Sequence, residues 1–410
     1  MDESDTNSRV TSDLCPHFGE CGGCQYQDEA YEAQLARKGA ELAALFAPWR
    51  AGPVEVAPSP VQWYYRNKVD LTFGRKFYPE PPPKDFERET VLGFKRKGRW
   101  FWPLEIQECR IASPETAGLL AAVRDWRRRE GLPGFDTRKH TGLLKILLIR
   151  EGKRTGERMV VLITAPGEFD GASFAAAVQA SYPATSVQWG VHRGLAEVAM
   201  ADEVHVLAGA PHITEELHIP SAEGARKLSF RLSPFSFFQT NTLGTEVLYG
   251  KIREWVRARQ PEVLYDLYGG SGGIAFACAD LAGEVISVEE AAGATADGEH
   301  NRGRNGIGNV AFVTERVERY LRGQRDAEAL RPDGLVILDP PRAGLHPKAL
   351  RRIMEWRPPE ILYVSCKPAA LAQEMETLAE AYDLVDLEAV DMFPHTRHVE
   401  ALARLRARAT

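Results

Sequence analysis

The chain has 410 residues, of which 44% are hydrophobic and 26% charged, as in an ordinary globular protein with roughly two or three domains. No apolar run approaches the roughly 18 residues of a membrane span, and the acidic N-terminal stretch MDESDTNSRVTSD lacks the features of a secretory signal. We therefore expect a cytoplasmic protein. The 6 cysteines are too few for a disulfide scaffold, and in a reducing compartment a cluster of them suggests a metal.

The net charge of −6 is unevenly distributed. Residues 61–160 contain 22 Lys and Arg against 13 Asp and Glu, so the rest of the chain carries a net charge of −15. Each basic run taken alone is typical of a solvated surface. Three such runs contain aromatic residues (WYYRNK, FKRKGRWFW and WRRRE), and together they predict a surface that contacts phosphates and stacks on bases.

The first predicted region, residues 1–60, contains a cysteine cluster followed by a helix, DEAYEAQLARKGAELAALFAPW. The stretch CPHFGECGGC supplies Cys15, Cys21 and Cys24, and Cys109 is the only other cysteine in the first half of the chain. Four thiolates hold either zinc or an iron–sulfur cluster. Zinc sites more often use two short pairs, so three close cysteines with a distant fourth favour a four-iron cluster.

The second predicted region, residues 61–225, has the pattern of an α+β domain. β-rich runs (KVDLTFGRKF, GLLKILLIR, RMVVLITA and SVQWGVH) alternate with an Arg-rich helix near residues 115–130. The stretch YPEPPPKDFERE is expected to form an exposed loop. We predict that this region binds RNA and contributes Cys109 to the cluster.

The third predicted region, residues 226–410, alternates short apolar strands with helical stretches. The strands are EVLYDLY, EVISVEE, NVAFV, GLVILDPP, EILYVSC, YDLVDLEAV and VEALARLR. This pattern predicts a doubly wound, mainly parallel α/β sheet, on which ligands bind beyond the carboxyl ends of the strands. The residues at those ends are 266–273, Glu289, 339–342 and Cys366.

A glycine turn, DLYGGSGGIAF, follows the first of these strands, and Glu289 ends the second, where an acid accepts hydrogen bonds from ribose hydroxyls. These two features suit S-adenosylmethionine and a nicotinamide cofactor equally. The stretch LDPPRAGLH favours the former. Its prolines fix the loop that carries Asp339 and Arg342, a feature common in methyltransferases acting on nucleobases.

Cys366 is either a small apolar filler at a strand end or a nucleophile. Methylation of a pyrimidine at C5 needs a thiolate that adds at C6 and a base that removes the C5 proton. The C-terminal stretch FPHTRHVE offers Glu400 as that base. His395, His398 and Glu400 are also a possible metal site, but their spacing is not a usual zinc signature.

The motifs SFFQTN, DLYGGSGG, LDPPRAGL, YVSCKP and FPHTRHVE, in this order, resemble the RNA uracil-5 methyltransferase family, which makes 5-methyluridine with S-adenosylmethionine. The resemblance implies a Rossmann-like class I methyltransferase domain. It implies that Cys366 is the nucleophile, Glu400 the base, and Asp339 a group that orients or polarises the uracil. It places Phe237 beside the target base, and it assigns to the cofactor site Gln239, Tyr268, Glu289 and Asp339.

The cysteine spacing resembles the ribosomal branch of that family, which carries a [4Fe-4S] cluster, and so implies 23S rRNA as the substrate. The alternatives are a tRNA uridine, a cytidine, or a catalytically silent iron–sulfur protein that binds RNA or senses redox state. Cys278 is interpreted as a core residue. We expect a monomer.

Three positions depart from the family pattern. Gly269 and Gly270 stand where the family usually has Cys-Gly, and Lys367 stands where it has Asn. A nearby ammonium group is expected to lower the pKa of the Cys366 thiol. Arg316 occupies a position where an acid or amide is common, so no cofactor contact is assigned to it.

Overall fold

The computed structural model describes residues 14–409 except 81, 84, 85, 87 and 223. The acidic N-terminal stretch, and those four positions of the predicted Pro-rich loop that fall between 81 and 87, therefore lie outside the described residues. The chain forms two compact units. The first contains the described residues up to Ala30, Gln62–Glu215 and Leu232–Phe235; the second contains Tyr31–Val61, Glu216–Arg231 and the chain from Ser236 onward.

Two groups of elements make up these units. The described strands are β1 (Val56–Ala57), β2 (Lys68–Arg75), β3 (Thr90–Arg96), β4 (Arg99–Glu105), β5 (Leu144–Glu151), β6 (Arg158–Thr164), β7 (Ser186–Val191), β8 (Glu203–Gly209), β9 (Ile213–Ser221), β10 (Gly224–Leu232), β11 (Val263–Leu267), β12 (Glu284–Glu289), β13 (Val310–Thr314), β14 (Leu335–Leu338), β15 (Glu360–Ser365), β16 (Tyr382–Val390) and β17 (Glu400–Ala407). The described α-helices are α1 (Tyr31–Phe46), α2 (Thr116–Arg129), α3 (Gly171–Ser181), α4 (Thr242–Arg259), α5 (Gly273–Cys278), α6 (Ala292–Arg304), α7 (Val317–Asp326), α8 (Pro347–Trp356) and α9 (Pro368–Leu378). Within the described residues, no helix is long and apolar enough to span a bilayer.

The first unit is built on a seven-stranded sheet in the order β4-β3-β2-β5-β6-β7-β8. Every residue of β5 is buried, including the charged residues Lys145, Arg150 and Glu151 among its apolar neighbours. Apolar side chains of α2 and α3, among them Val123, Trp126 and Phe174, share one core cluster with the strands. The Asp170 side chain caps the N-terminus of α3, because it accepts hydrogen bonds from the backbone N–H groups of Ala172 and Ser173. The unit is thus an α+β layer, as predicted.

The second unit is built on an eight-stranded sheet in the order β1-β16-β17-β15-β14-β11-β12-β13. The strand β17 runs antiparallel to its neighbours β15 and β16, whereas β11 to β15 pair in parallel. From β11 the chain first adds β12 and β13 on one side, and then adds β14 and β15 on the other side. The strand order therefore reverses between β11 and β14. The carboxyl ends of these two strands therefore flank the ligand-binding edge. All seven strands predicted after residue 226 are present.

The helix α1 belongs to the second unit, although it precedes the whole first unit in sequence. Its residues Leu42 and Phe46 are buried in the core cluster of the eight-stranded sheet, and β1 pairs with β16. The two units therefore divide the chain differently from the predicted regions 1–60, 61–225 and 226–410. Burial of one apolar helical face attaches α1 to the distant half of the sequence.

Candidate active site

Cys366 directly follows β15, and Glu400 begins the neighbouring antiparallel strand β17. In the pairing of β15 with β17, Ser365 is the partner of Ala401. One step further along this register, the first residue after β15 is Cys366 and the first residue of β17 is Glu400. The Cys366 side chain is half-buried, and Glu400 is only 2% exposed. The sequence separates these two residues by a helix and a strand, and the sheet register brings them together.

Asp339 occupies the neighbouring strand end. It directly follows β14, which pairs in parallel with β15, and its backbone N–H donates to the carbonyl oxygen of Leu267 at 3.3 Å. Burial, with a smaller contribution from the charge of Asp266, raises the pKa of Asp339 to about 7. This carboxyl group is therefore poised between its two protonation states near neutral pH.

The Cys366 thiol is a weak acid in this structure. Burial, together with the charges of Glu400 and Asp339, raises the pKa of the thiol to about 11, and the charge of Arg342 opposes this change. The cation that lowers the pKa of the thiol is Arg342, on the loop after β14. A proton acceptor is consequently needed when the sulfur attacks.

Glu400 has the properties of a proton acceptor. Burial and the charge of Asp339 raise the pKa of its carboxyl group well above the ordinary value, while Arg342 opposes that change. Its Oε2 atom is buried and has no hydrogen-bond partner among the described residues. A carboxylate oxygen with a raised pKa and no protein partner is suited to accept a proton from a bound substrate.

The glycine turn after β11 has an unusual backbone. Tyr268, Gly270 and Gly272 have positive φ angles of 67°, 56° and 87°. The Glu289 carboxylate fixes the turn, because its Oε2 accepts from the Gly270 N–H at 3.2 Å and its Oε1 from the Ala291 N–H at 2.8 Å. Each oxygen retains a lone pair for a ribose hydroxyl.

Gly269 explains the first departure from the family pattern. A Cβ atom at this position would lie 2.6 Å from Oδ2 of the buried Asp266 and closer still to Oγ of Ser287. These two side chains are hydrogen-bonded to each other at 3.2 Å. The Asp266–Ser287 pair therefore occupies the space that a cysteine side chain would need.

The SFFQTN stretch places Phe237 beside the glycine turn and buries Gln239 in the second unit. Phe237 is 61% exposed, and its carbonyl oxygen accepts from Ser271 Oγ at 3.4 Å. Gln239 is buried. Tyr268 is half-buried, and burial raises the pKa of its hydroxyl group. An exposed Phe237 ring beside the glycine turn is available to a base.

Sequence reasoning missed two side chains that shape this edge. Glu374 on α9 accepts from the Leu345 N–H and from the Tyr363 hydroxyl, both at 2.6 Å, and so fixes the loop that follows Asp339. Tyr249 on α4 is buried, and a Cβ atom at Gly273 would clash with its hydroxyl oxygen. Both residues have sequence positions typical of ordinary helical side chains, so no local signal distinguishes them.

The four predicted cluster cysteines meet in the first unit. Cys15, Cys21, Cys24 and Cys109 line one cavity of about 230 Å³, together with apolar side chains such as Phe94 and Ile106. Burial raises the pKa of the Cys21 thiol to about 11 and that of Cys24 to about 12, and it also raises the pKa of Cys109. Cys278 is fully buried in the second unit, as expected for a core residue.

No group of three or more His, Cys, Asp or Glu side chains is arranged to hold a metal ion within the described part of the chain. This statement includes His395, His398 and Glu400. His395 Nδ1 lies 3.2 Å from Gln34 Nε2, and His398 Nδ1 lies 3.5 Å from an Arg342 guanidinium nitrogen. The metal interpretation of FPHTRHVE therefore has no support in the structure.

Basic side chains of the first unit make two kinds of contact. Lys95 is paired with Glu197 and Arg96 with Glu20, so these two cations are already partly neutralised. The other kind is a layer of aromatic rings and guanidinium groups. Arg99 Cζ lies 4.6 Å from the Phe77 ring centre, and Arg88 Cζ lies 4.9 Å from that of Trp102 and 5.4 Å from that of Tyr78. We call these five residues the stacking surface.

Comparisons with known proteins agree with this arrangement. Residues 194–408 match the tRNA (uracil-5-)-methyltransferase family. An uncharacterized RNA methyltransferase of Caldanaerobacter subterraneus subsp. tengcongensis is 32% identical, with 95% of this chain and 84% of the relative covered. One from Clostridium tetani is also 32% identical, with 97% and 84% covered.

A solved structure is also similar over most of the chain. It is the tRNA (uracil-54, C5)-methyltransferase of Pyrococcus abyssi in complex with S-adenosyl-L-homocysteine, with 28% identity and a TM-score of 0.72. The similarity covers 94% of this chain and 86% of that enzyme. With its Rossmann-like sheet and the residues at its strand ends, the chain belongs to the RNA (uracil-5-)-methyltransferase family and is an S-adenosylmethionine-dependent enzyme that acts on RNA.

Proposed function

We propose that this enzyme methylates C5 of a specific uridine in 23S rRNA through a covalent bond between Cys366 Sγ and C6 of the uracil. The observation that carries the proposal is the strand register that sets Cys366 opposite Glu400, with Asp339 at the next strand end. A thiol and two carboxyl groups with raised pKa values are the groups that this chemistry needs.

The steps balance with these three residues. Asp339 takes the thiol proton as Sγ bonds to C6, and the C5=C6 electrons move onto C5 and the neighbouring carbonyl. After C5 has gained a methyl group, Glu400 removes the C5 proton. The electrons of that C–H bond restore the C5=C6 double bond and expel the sulfur from C6. The proton on Asp339 returns to Cys366, and Glu400 releases its proton to solvent.

S-adenosylmethionine, when bound, supplies the methyl group as an electrophilic sulfonium carbon. We assign its binding to Gln239, Tyr268, Glu289 and Asp339. The open left-handed turn at Gly270 and Gly272 lets a ligand approach the backbone, and Glu289 retains acceptor capacity for ribose hydroxyls. These features fit an adenosyl ligand at the strand ends.

We further propose that Cys15, Cys21, Cys24 and Cys109 hold a [4Fe-4S] cluster. The four cysteines line one cavity, although their thiols, like the other His, Cys, Asp and Glu groups among the described residues, do not converge on a single-ion site. In a cubane each thiolate binds a different iron, so the four sulfurs need not converge on one point. The raised thiol pKa values fit cysteines that are stable as thiolates only when bound to a metal.

The stacking surface supports single-stranded RNA as the form of the substrate. Aromatic rings interleaved with guanidinium groups stack on bases of any sequence and contact the backbone phosphates. The rings Phe77 and Trp102 are in edge contact with centres 5.8 Å apart, so the layer is continuous across β4 and the segment after β2.

A uridine in tRNA is the second candidate substrate. The specific observation is the similarity to the Pyrococcus abyssi enzyme, which acts on uracil 54 of tRNA. The four-cysteine site favours 23S rRNA through the resemblance to the ribosomal branch. Both substrates are consistent with the cytoplasm as the site of action. A catalytically silent RNA-binding protein has no chemical need for Cys366 opposite Glu400.

Mapping of 5-methyluridine in RNA from a strain that lacks the enzyme tests this proposal. We expect one position in 23S rRNA to lose its methyl group and to regain it on complementation with the wild type but not with Cys366→Ala. Loss of the modification from tRNA alone would assign the second candidate. Unchanged 5-methyluridine in both RNAs, with purified enzyme inactive on either, would refute the proposal.

A further inference from the structure

The loop of residues 391–399, between β16 and β17, ends directly before Glu400 and is held by the N-terminal helix α1. Lys38 Nζ donates to Asp391 Oδ1 at 2.8 Å, and the two side chains are only 1% and 0% exposed. The same ammonium group donates to the carbonyl oxygen of Phe393 at 3.3 Å. A buried cation thus binds both a side chain and the backbone of this loop.

Gln34, one turn earlier on α1, binds the middle of the same loop. Its Oε1 accepts from the backbone N–H of His395 at 2.9 Å, and its Nε2 lies 3.2 Å from His395 Nδ1. The first contact fixes the orientation of the amide, so Nε2 is the donor and Nδ1 the acceptor. A neutral His395 ring then carries its proton on Nε2.

His395 has a backbone conformation that needs such support. Its φ angle is 66°, in the left-handed region that non-glycine residues rarely adopt. Both polar groups of the Gln34 amide are used on this one residue. The ends of the loop have separate anchors, since Asn241 Nδ2 donates to the carbonyl of Met392 at 3.1 Å and β17 begins at Glu400.

We propose that Gln34 and Lys38 are positioning residues that hold the loop so that Glu400 is aimed at the C5 proton of the substrate. This inference rests on the proposed function, because it concerns the proton-removal step. Loss of either contact releases residues 393–395 while the strands on both sides stay paired. The addition of Cys366 at C6 depends on β15 and is therefore less affected than the step assigned to Glu400.

The test uses Gln34→Met and Lys38→Met, which keep side-chain volume but remove the polar contacts. Each full-length variant is incubated with unmodified 23S rRNA and tRNA from a deletion strain and with S-adenosylmethionine. Formation of the covalent RNA–protein adduct and release of the methylated RNA from the protein are timed separately, and the melting temperature is measured. Gln34→Met is the milder change, because it leaves no buried charge unpaired, and it keeps the test valid if Lys38→Met does not fold.

For Gln34→Met we expect release to slow about tenfold while adduct formation stays within about twofold of the wild type, so that adduct accumulates. Lys251→Met is the matched control. It breaks another Lys–carboxylate pair, between Lys251 on α4 and Glu388 on β16, and this pair does not involve the loop. In this control, the ratio of the rate of product release to the rate of adduct formation should equal that of the wild type.

A purely structural role for α1 predicts a different result. Adduct formation and release would then fall by the same factor in Gln34→Met, in step with the melting temperature, and the proposal would be wrong. A wild-type enzyme that methylates neither RNA would instead remove the proposed function, and this inference with it. The same assay therefore separates the two failures.

Discussion

At the scale of single residues, the chemistry depends on how buried charges act on one another. Cys366, Asp339 and Glu400 sit at three adjacent strand ends, and each negative charge there disfavours the next. Arg342 is the cation that opposes this repulsion. The raised pKa of the Cys366 thiol means that its attack on a substrate requires a proton acceptor.

The pH dependence of Cys366 alkylation tests this view. With a thiol pKa of about 11, the thiolate fraction should rise about tenfold for each pH unit between pH 7 and pH 10. The rate of iodoacetamide labelling of the Cys366 peptide, followed by mass spectrometry, should rise in the same proportion. Arg342→Met should slow labelling at every pH in this range. A rate that levels off below pH 8 would show that Lys367 or another cation lowers the thiol pKa after all.

At the scale of elements, the parallel strands and the helices of the second unit follow from the sequence, because each short apolar run is bounded by a glycine or proline turn. The strand order explains why Cys366, Asp339 and Glu289 belong to one edge. The register between β15 and β17 is a different matter. Residues 366 and 400 are linked only through long-range pairing, and no local pattern specifies it.

The role of α1 was also beyond prediction from sequence. Lys38 and Gln34 look like ordinary polar positions on an amphipathic helix, yet both are buried against residues more than 350 positions away. The sequence predicts a basic and aromatic surface but not which of its cations contact rings and which contact acids. Lys95 is in an ion pair and Arg96 combines an ion pair with a ring contact, whereas Arg88, which lies outside the quoted basic runs, contacts two aromatic rings.

The stacking surface yields a prediction about RNA binding. Arg88→Ala combined with Arg99→Ala should weaken binding of unmodified RNA and reduce the slope of log affinity against log salt by about 0.7 for each lost phosphate contact. Lys95→Ala combined with Arg128→Ala removes the same charge from residues that are paired with Glu197 and Asp125 and lie outside the stacking surface, and should change the slope less. Equal slopes for the two double variants, measured by fluorescence anisotropy, would show that the aromatic layer is not the RNA contact.

At the scale of the whole molecule, each unit has its own core and its own proposed prosthetic or cosubstrate site. The cysteine cavity lies in the first unit, and the strand ends that carry Cys366, Asp339 and Glu289 lie in the second. Cys15, Cys21 and Cys24 come from a segment with little regular structure, which a bound cluster would fasten to Cys109. The cluster is therefore expected to stabilise the first unit and to leave cofactor binding by the second unchanged.

Iron analysis of anaerobically purified protein tests this division. We expect about four irons per chain and a broad absorption in the visible range, both lost in Cys109→Ser. Removal of iron by a chelator should lower the melting temperature but leave the affinity for S-adenosylmethionine unchanged. Cys278→Ala is the control and should keep its iron. Stoichiometric zinc without iron would contradict the cluster.

The covalent adduct is the most direct test of the account, because Cys366 acts before methyl transfer and Glu400 after it. Glu400→Gln should form the Cys366–C6 bond, transfer the methyl group and then stall, so that a denaturing gel shows a shifted RNA–protein band that depends on S-adenosylmethionine. Cys366→Ala should show no band and no 5-methyluridine. A band of equal intensity from Cys366→Ala, or normal turnover by Glu400→Gln, would contradict the roles assigned to these two residues.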